Sequence, residues 1–152
     1  MLLKENEILL VEDNDADVEL TMLALRNEKI CNRIHVVRNG AEALDFLFCR
    51  GQYLSRVGIS LPKLVLLDLK LPKVDGLEVL RQLKQSPQTR IVPVVILTAS
   101  REESDLLSGY HLGTNSYIQK PVDFAQFRET VKQLGLYWLV VNQVPAGQLT
   151  AR

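Results

Sequence analysis

The chain has 152 residues, a formal net charge of zero and 47% hydrophobic residues. Such a length predicts one domain with a substantial buried core. No basic stripe and no long apolar run occurs, so neither nucleic-acid binding nor a membrane span is expected. The acids Glu5 and Glu7 argue against a secretory leader, and Cys31 and Cys49 are predicted to be reduced thiols of a cytoplasmic protein.

The first half of the chain alternates between two kinds of pattern. Residues 7–11 form an apolar run that ends in acids, which predicts a buried strand. Residues 15–28 carry apolar side chains at helical spacing behind a possible cap at Asn14 or Asp15, and Asp17 and Glu19 suit the positive end of the helix dipole. A second strand is predicted at 34–37 and a second helix at 41–48. Residues 51–62 then form a longer connection, consistent with a flexible insertion.

The second half continues the same alternation of short apolar strands and amphipathic helices. The predicted strands are 64–67, 92–97 and 116–119, and the predicted helices are 76–85, 102–112 and 123–141. Apolar strands that alternate with helices favour a parallel sheet covered on both faces. Right-handed crossovers then restrict the topology to a doubly wound α/β fold.

Four of the five predicted strands end in a polar residue of a particular kind. They end in Glu12-Asp13, Asp68, Thr98 and Lys120. Ligands of open parallel sheets bind outside the carboxyl ends of the strands, so these side chains are expected to converge. Carboxylates this close repel one another unless a cation is present, and hard oxygen ligands beside a phosphate suit Mg²⁺.

Each residue type has a chemical use in such a site. Asp68 is a carboxylate that can act as a nucleophile on phosphorus. Thr98 offers a hydroxyl donor to a phosphoryl oxygen, and Lys120 offers a mobile positive charge. Taken singly, each residue is more often a helix cap or a solvated turn residue. The joint arrangement at four strand ends favours a site for phosphoryl transfer.

The order and spacing of these segments resemble the receiver domain of two-component response regulators. The segments that carry the resemblance are ILLVEDN at 8–14, VLLDLKLPKVDG at 65–76, VVILTA at 94–99 and YIQKP at 117–121. The resemblance implies a flavodoxin-like sheet with strand order 2-1-3-4-5. It also implies a signalling domain, not a conventional enzyme, that accepts a phosphoryl group from a histidine kinase.

The resemblance assigns roles to the site residues. Asp68 would be the phosphoacceptor, and Asp13, Asp68 and the backbone carbonyl of Lys70 would ligate Mg²⁺, with Glu12 acting through a water. Thr98 and Tyr117 would form the switch pair. Lys120 would be the lysine of the family, followed by a cis bond to Pro121.

A narrower resemblance points to the regulators of cyanobacterial phytochromes. It rests on the long loop before the third strand, the turn at 69–73 and the Trp138-Leu139 ending. A phytochrome histidine kinase is therefore the expected partner, docking on the first helix and on the loop after Lys120.

Three other classes of protein share parts of this pattern. A haloacid-dehalogenase-like phosphatase has a second Asp two residues after the nucleophile, where this chain has Lys70. A flavin-binding protein needs a phosphate-cradling loop after the first strand, where this chain has four acidic or amide residues. A degenerate binding module would lack some of the site residues. His35 and His111 have no metal-ligand partner at a useful spacing.

The receiver domain is expected to comprise residues 1–141 and to be followed by a short tail, 142–152, with no output domain. If the last helix runs to residue 141, apolar residues lie on all its faces. One stripe would cover the sheet, and Leu136, Tyr137, Leu139 and Val140 would remain. A helix that is apolar all round is normally buried all round, so a homodimer through this helix is expected.

Overall fold

A computed structural model of the protein describes residues 7–26, 33–58, 61–99 and 116–136. Its centre is a sheet of five parallel strands in the order β2-β1-β3-β4-β5. The strands are β1 (Ile8–Val11), β2 (Ile34–Val37), β3 (Leu64–Asp68), β4 (Val94–Thr98) and β5 (Ser116–Gln119). The predicted doubly wound fold and its strand order are confirmed.

The register of the strands brings their carboxyl ends to one edge of the sheet. Val11 lies opposite Leu67, Asp68 lies opposite Leu97, and Thr98 lies opposite Gln119. All four residues of β1 and all five of β3 are buried. A strand that is buried on both faces has no room for polar side chains, so the polar residues of these strands collect where the strands end.

Helices cover both faces of the sheet. On one face α2 (Gly40–Leu47) and α3 (Gly76–Gln85) pack on alternate strand residues such as Leu9 and Leu67. On the other face lie α1 (Asp15–Arg26) and a helix here named α4 (Phe124–Gln133). None of the described helices is long and apolar enough to cross a membrane.

Each of the four α-helices that the structure describes begins with an Asn or Asp side chain that accepts a hydrogen bond from a backbone N–H of the first turn. The caps are Asn14, Asn39, Asp75 and Asp123, at distances of 2.7–3.0 Å. Such caps satisfy backbone donors that have no partner within the helix. Because Asn14 follows β1 closely, the chain turns from strand into helix directly above the acidic edge of the sheet.

The connection after α2 is structured, so the expectation of a flexible insertion is wrong for residues 51–58. Gly51–Arg56 form a 3-10 helix that lies on the α2 side of the sheet. The Arg56 guanidinium stacks 3.6 Å from the centre of the Phe46 ring and makes a nearly buried ion pair with Glu7, Nη1 to Oε1, at 3.3 Å. Tyr53 packs edge-on against the same ring. These contacts hold the connection against the start of β1.

The last described helix is shorter than predicted. The expected helix 123–141 ends at Gln133, because Gly135 adopts a φ of +76°. The Leu136 N–H donates to the Val131 carbonyl oxygen at 2.7 Å, and the Gly135 N–H donates to that of Lys132 at 3.1 Å. This pattern is a glycine-terminated helix end. The predicted helix 102–112, and residues 137–141, lie outside the described residues.

Candidate phosphoryl-transfer site

Three carboxylates meet at the carboxyl edge of the sheet. Glu12 and Asp13 follow β1, and Asp68 ends β3. One carboxylate oxygen from each lies within 4.8 Å of the others. The Glu12 side chain is 1% exposed and that of Asp68 is 9% exposed, whereas Asp13 is exposed. The sequence prediction that these residues converge is therefore correct.

Lys120 reaches this cluster from the end of β5. Its Nζ lies 2.9 Å from Glu12 Oε1 and 3.3 Å from Asp68 Oδ1. A third carboxylate, that of Asp17, lies 3.0 Å from the same nitrogen. Sequence reasoning assigned Asp17 only to the positive end of the α1 dipole. Its position, one helical turn after Asp13, was the available signal that it belongs to the site.

Crowding and burial shift the ionisation of these groups. Burial raises the pKa of the Glu12 carboxyl to about 7, and the Asp68 charge adds to the rise. The contact with Lys120 acts in the opposite direction and lowers this pKa. Burial also raises the pKa of Asp68. Burial alone would lower the pKa of the Lys120 ammonium, but contacts with Glu12, Asp17 and Asp68 raise it above its ordinary value. Lys120 is thus held in its charged form.

The donor set fits a divalent cation. Glu12 Oε1 is buried and lies 2.9 Å from the Lys120 ammonium. A buried carboxylate oxygen beside two further carboxylates is stabilised by additional positive charge. Oxygen ligands of this kind suit Mg²⁺, Ca²⁺ or Mn²⁺.

The turn after β3 is fixed against Asp68 by a glycine. The Gly76 N–H donates to the Leu69 carbonyl oxygen at 2.8 Å, and a Cβ on Gly76 would lie only 2.3 Å from the Asp68 carbonyl oxygen. Helix α3 can therefore start directly against the backbone of Asp68. Lys70 is exposed on this turn and lines, together with Asp13, a cleft of about 610 Å³.

The two residues of the predicted switch pair lie on neighbouring strands. Thr98 ends β4 and pairs in register with Gln119 of β5; its side chain lies outside what the structure describes. Tyr117 is half-buried on β5, opposite Ile96, and packs against the core on the α2 and α3 side. The bond between Lys120 and Pro121 is cis, as the resemblance implied.

Comparison with known proteins identifies the family. Residues 8–132 match the response regulator receiver domain. The chain belongs to this family. It is similar to FilR2 of Methanothrix harundinacea, a probable methanogenesis regulatory protein, with 46% identity over 138 residues that cover 91% of this chain and 86% of FilR2. It is 38% identical over 139 residues to the response regulator Rcp1 of Synechocystis, covering 91% and 92% of the two chains.

Solved structures agree with this assignment. The bacteriophytochrome response regulator AtBRR superposes with a TM-score of 0.84 at 52% identity, over 88% of this chain and 95% of that one. The phosphorylated cyanobacterial phytochrome response regulator RcpA gives 0.71 and 40%, over 90% and 96%. The Mn²⁺-bound form of Rcp1 gives 0.69 and 38%, over 88% and 94%.

The family assignment decides between the function classes that the sequence suggested. The receiver domain is a phosphoryl-accepting signalling module, and its family implies a histidine kinase as partner. This family is neither that of the haloacid-dehalogenase-like phosphatases nor that of the flavin-binding proteins.

The raised pKa of Glu12 predicts that the metal-free protein becomes more stable as the pH falls from about 8 to about 5. The folded state holds a proton on Glu12 up to about pH 7, whereas the unfolded chain releases it near 4.5. The resulting stabilisation is complete below the unfolded pKa and is lost as the pH rises through the folded value. Its upper limit is about 3 kcal/mol.

Chemical denaturation in EDTA at the two pH values measures this difference. In Glu12→Gln the difference is expected to shrink by that contribution, because the amide does not titrate. Glu19→Gln, an exposed position on α1, is the matched control and should behave as the wild type does. An unchanged pH dependence in Glu12→Gln would contradict the interpretation.

Proposed function

We propose that the protein accepts a phosphoryl group on Asp68 from a histidine kinase, with Mg²⁺ bound by the acidic cluster, and signals through protein–protein contacts. The meeting of three carboxylates with the Lys120 ammonium at the carboxyl edge of the sheet carries this proposal. On this view it is a component of a cytoplasmic phosphorelay, and the only reactions that it promotes are its own phosphorylation and dephosphorylation.

Each residue of the site has a separate role in the proposed reaction. Asp13, Asp68 and the Lys70 backbone carbonyl would hold the metal, with Glu12 acting through a water. The bound ion would neutralise charge on the transferring phosphoryl group. An Asp68 oxygen attacks phosphorus while the bond to the donor breaks, and Lys120 supplies positive charge to the product.

The same proposal includes a switch. The Thr98 hydroxyl donates to the new phosphoryl group, and Tyr117 turns inward in response. Tyr117 is half-buried against the core on β5, which is an edge strand of the described sheet. The change is a shift between two populations of one fold.

Acetyl phosphate with Mg²⁺ is expected to label the protein at Asp68 alone. In Asp68→Asn the labelling should fall to background, because the amide is a poor nucleophile. Intact-mass spectrometry measures the added phosphoryl group, and EDTA should abolish it.

Asp15→Asn is the charge-matched control. Asp15 is 88% exposed and pairs with Arg38 at the surface, so the substitution removes one acid without entering the cluster. Undiminished labelling of Asp68→Asn would refute the assignment of the acceptor.

We further propose that the cognate kinase is a phytochrome. Support comes from the similarity to Rcp1 and from the names of RcpA and AtBRR, which are phytochrome and bacteriophytochrome response regulators. Helix α1 offers a docking face beside the site, because Leu20 and Leu23 are 47% and 58% exposed. Two exposed leucines one turn apart form an apolar strip suited to a partner helix.

Leu23→Glu is expected to slow phosphotransfer from a phytochrome kinase at least tenfold and to leave labelling by acetyl phosphate unchanged. A charge placed in an apolar contact weakens docking but does not alter the chemistry. Radiolabel transfer from the purified, autophosphorylated kinase measures the effect. Leu54→Glu, at a 64% exposed position on the 3-10 helix, is the control. An equal loss in both variants would argue against docking on α1.

We also propose that the protein forms a homodimer, through a contact that differs from the one expected from the sequence. The homodimer was expected to form through one long helix, but that helix ends at Gln133. Phe127 and Val131 of α4 are fully covered by the protein's own core, so α4 has no large surplus of apolar surface there. We propose that the apolar residues 137–141, which follow the helix end, supply the contact between two copies.

Sedimentation velocity at micromolar concentration is expected to give a dimer. Leu139→Glu should convert it to a monomer, because a charge at an apolar interface is not solvated. Leu54→Glu serves as the surface control. A monomer in both phosphorylation states of the wild type would contradict the proposal.

A further inference from the structure

Lys120 is held by a carboxylate that is not part of the acidic cluster at the strand ends. Its Nζ donates a hydrogen bond to Asp17 Oδ2 at 3.0 Å. The contact with Glu12 Oε1, at 2.9 Å, is of similar length. Asp68, at 3.3 Å, is the most distant of the three carboxylates that contact the ammonium, and Asp17 is the one that lies on α1.

We propose that Asp17 is a positioning residue that holds Lys120 toward α1 in the unphosphorylated protein and so slows phosphorylation of Asp68. This inference rests on the proposed function, because it concerns the same lysine and the same acceptor. It adds Asp17 to the residues of the site and predicts that the Asp17 carboxylate lowers the rate of phosphorylation.

The argument begins with competition for one cation. An ammonium group has three N–H donors and no acceptor. Glu12, Asp17 and Asp68 all contact it, so each contact made with Asp17 is unavailable to the phosphoryl group that arrives on Asp68. Lys120 must leave Asp17, wholly or in part, before it can stabilise that group. Removal of the Asp17 carboxylate removes this competition.

The second step concerns charge. The Asp17 and Asp68 oxygens contact the same nitrogen, so the two carboxylates lie within two contact distances of each other. A phosphodonor such as acetyl phosphate brings further negative charge to this place. Asp17, whose side chain is 31% exposed, therefore adds repulsion close to the acceptor. At such distances, with partial screening, one charge changes a rate by roughly threefold to tenfold.

The third step is that Asp17 can act without being needed for the fold. It lies in the first turn of α1, where the Asn14 side chain already caps the helix. Val18 and Leu25 supply the buried contacts of that helix with the core. Asp17→Asn preserves the shape of the side chain and removes its charge. The substitution is thus expected to leave the structure intact and to change the partner of Lys120.

The kinetic test compares three variants under saturating Mg²⁺. Asp17→Asn should be labelled by acetyl phosphate roughly threefold to tenfold faster than the wild type. Asp17→Glu restores the carboxylate and should return the rate toward that of the wild type. Asp15→Asn removes the same charge from the same turn of α1 but touches Arg38 instead of Lys120, so its rate should not change. An equal or slower rate in Asp17→Asn would overturn the proposal.

A spectroscopic test needs no phosphodonor. The side-chain ammonium of Lys120 can be followed by ¹⁵N-resolved NMR in the unphosphorylated protein, where its ion pairs are expected to slow proton exchange. Asp17→Asn should shift this signal and Asp15→Asn should not. An unshifted Lys120 signal in Asp17→Asn would overturn the inference even if Asp68 is the acceptor. Loss of labelling in the wild type would instead overturn the proposed function.

Discussion

A single ammonium group has to balance three carboxylates at the carboxyl edge of the sheet. Lys120 contacts Glu12, Asp17 and Asp68, and both Glu12 and Asp68 are nearly excluded from water. One positive charge does not neutralise three negative charges, so the charge of the site favours binding of a divalent cation. Burial raises the pKa of both Glu12 and Asp68, and the Asp68 charge adds to the rise at Glu12.

The rest of the fold makes this imbalance tolerable. Strands β1 and β3 are buried along their whole length and supply apolar contacts on two faces, which offset the cost of placing acids at their ends. The helices then start immediately above the site. Asn14 caps α1 and Asp75 caps α3, while Gly76 allows α3 to lie against the Asp68 backbone. In β1 and β3 the buried apolar residues thus come first, and the acidic residues follow at the carboxyl ends of the strands.

The sequence pattern correctly predicted those elements whose structure depends on residues close together in the chain. The helix at 76–85 and the strand at 116–119 have the predicted bounds, and Asp68 ends its strand as expected. The resemblance to a family then supplied the strand order. Prediction from the sequence failed where the structure depends on contacts between residues far apart in the chain. Arg56 orders the connection after α2 by pairing with Glu7, which lies 49 positions earlier in the chain.

At two further places the sequence contains a local signal for the observed structure, but other features of the sequence favoured a different prediction. Gly135 can end a helix, but the apolar residues that follow it continued the helical spacing and favoured a longer helix. Asp17 had an adequate role as a favourable charge at the start of α1, so nothing in the sequence required a second one. Its contact with Lys120 joins residues 103 positions apart and appears only once the sheet is assembled.

The place of β1 in the sheet bears on how the protein is made. β1 precedes both β2 and β3 in the chain, yet it lies between them in the described sheet, and its second edge is completed only when Ile8 meets Leu64. A chain that leaves the ribosome amino end first therefore carries an unpaired apolar edge until more than a third of the sequence has followed. Closure of that gap is a long-range event, and such events slow folding. The strand that later anchors the site therefore keeps one edge unpaired during synthesis until β3 has been made.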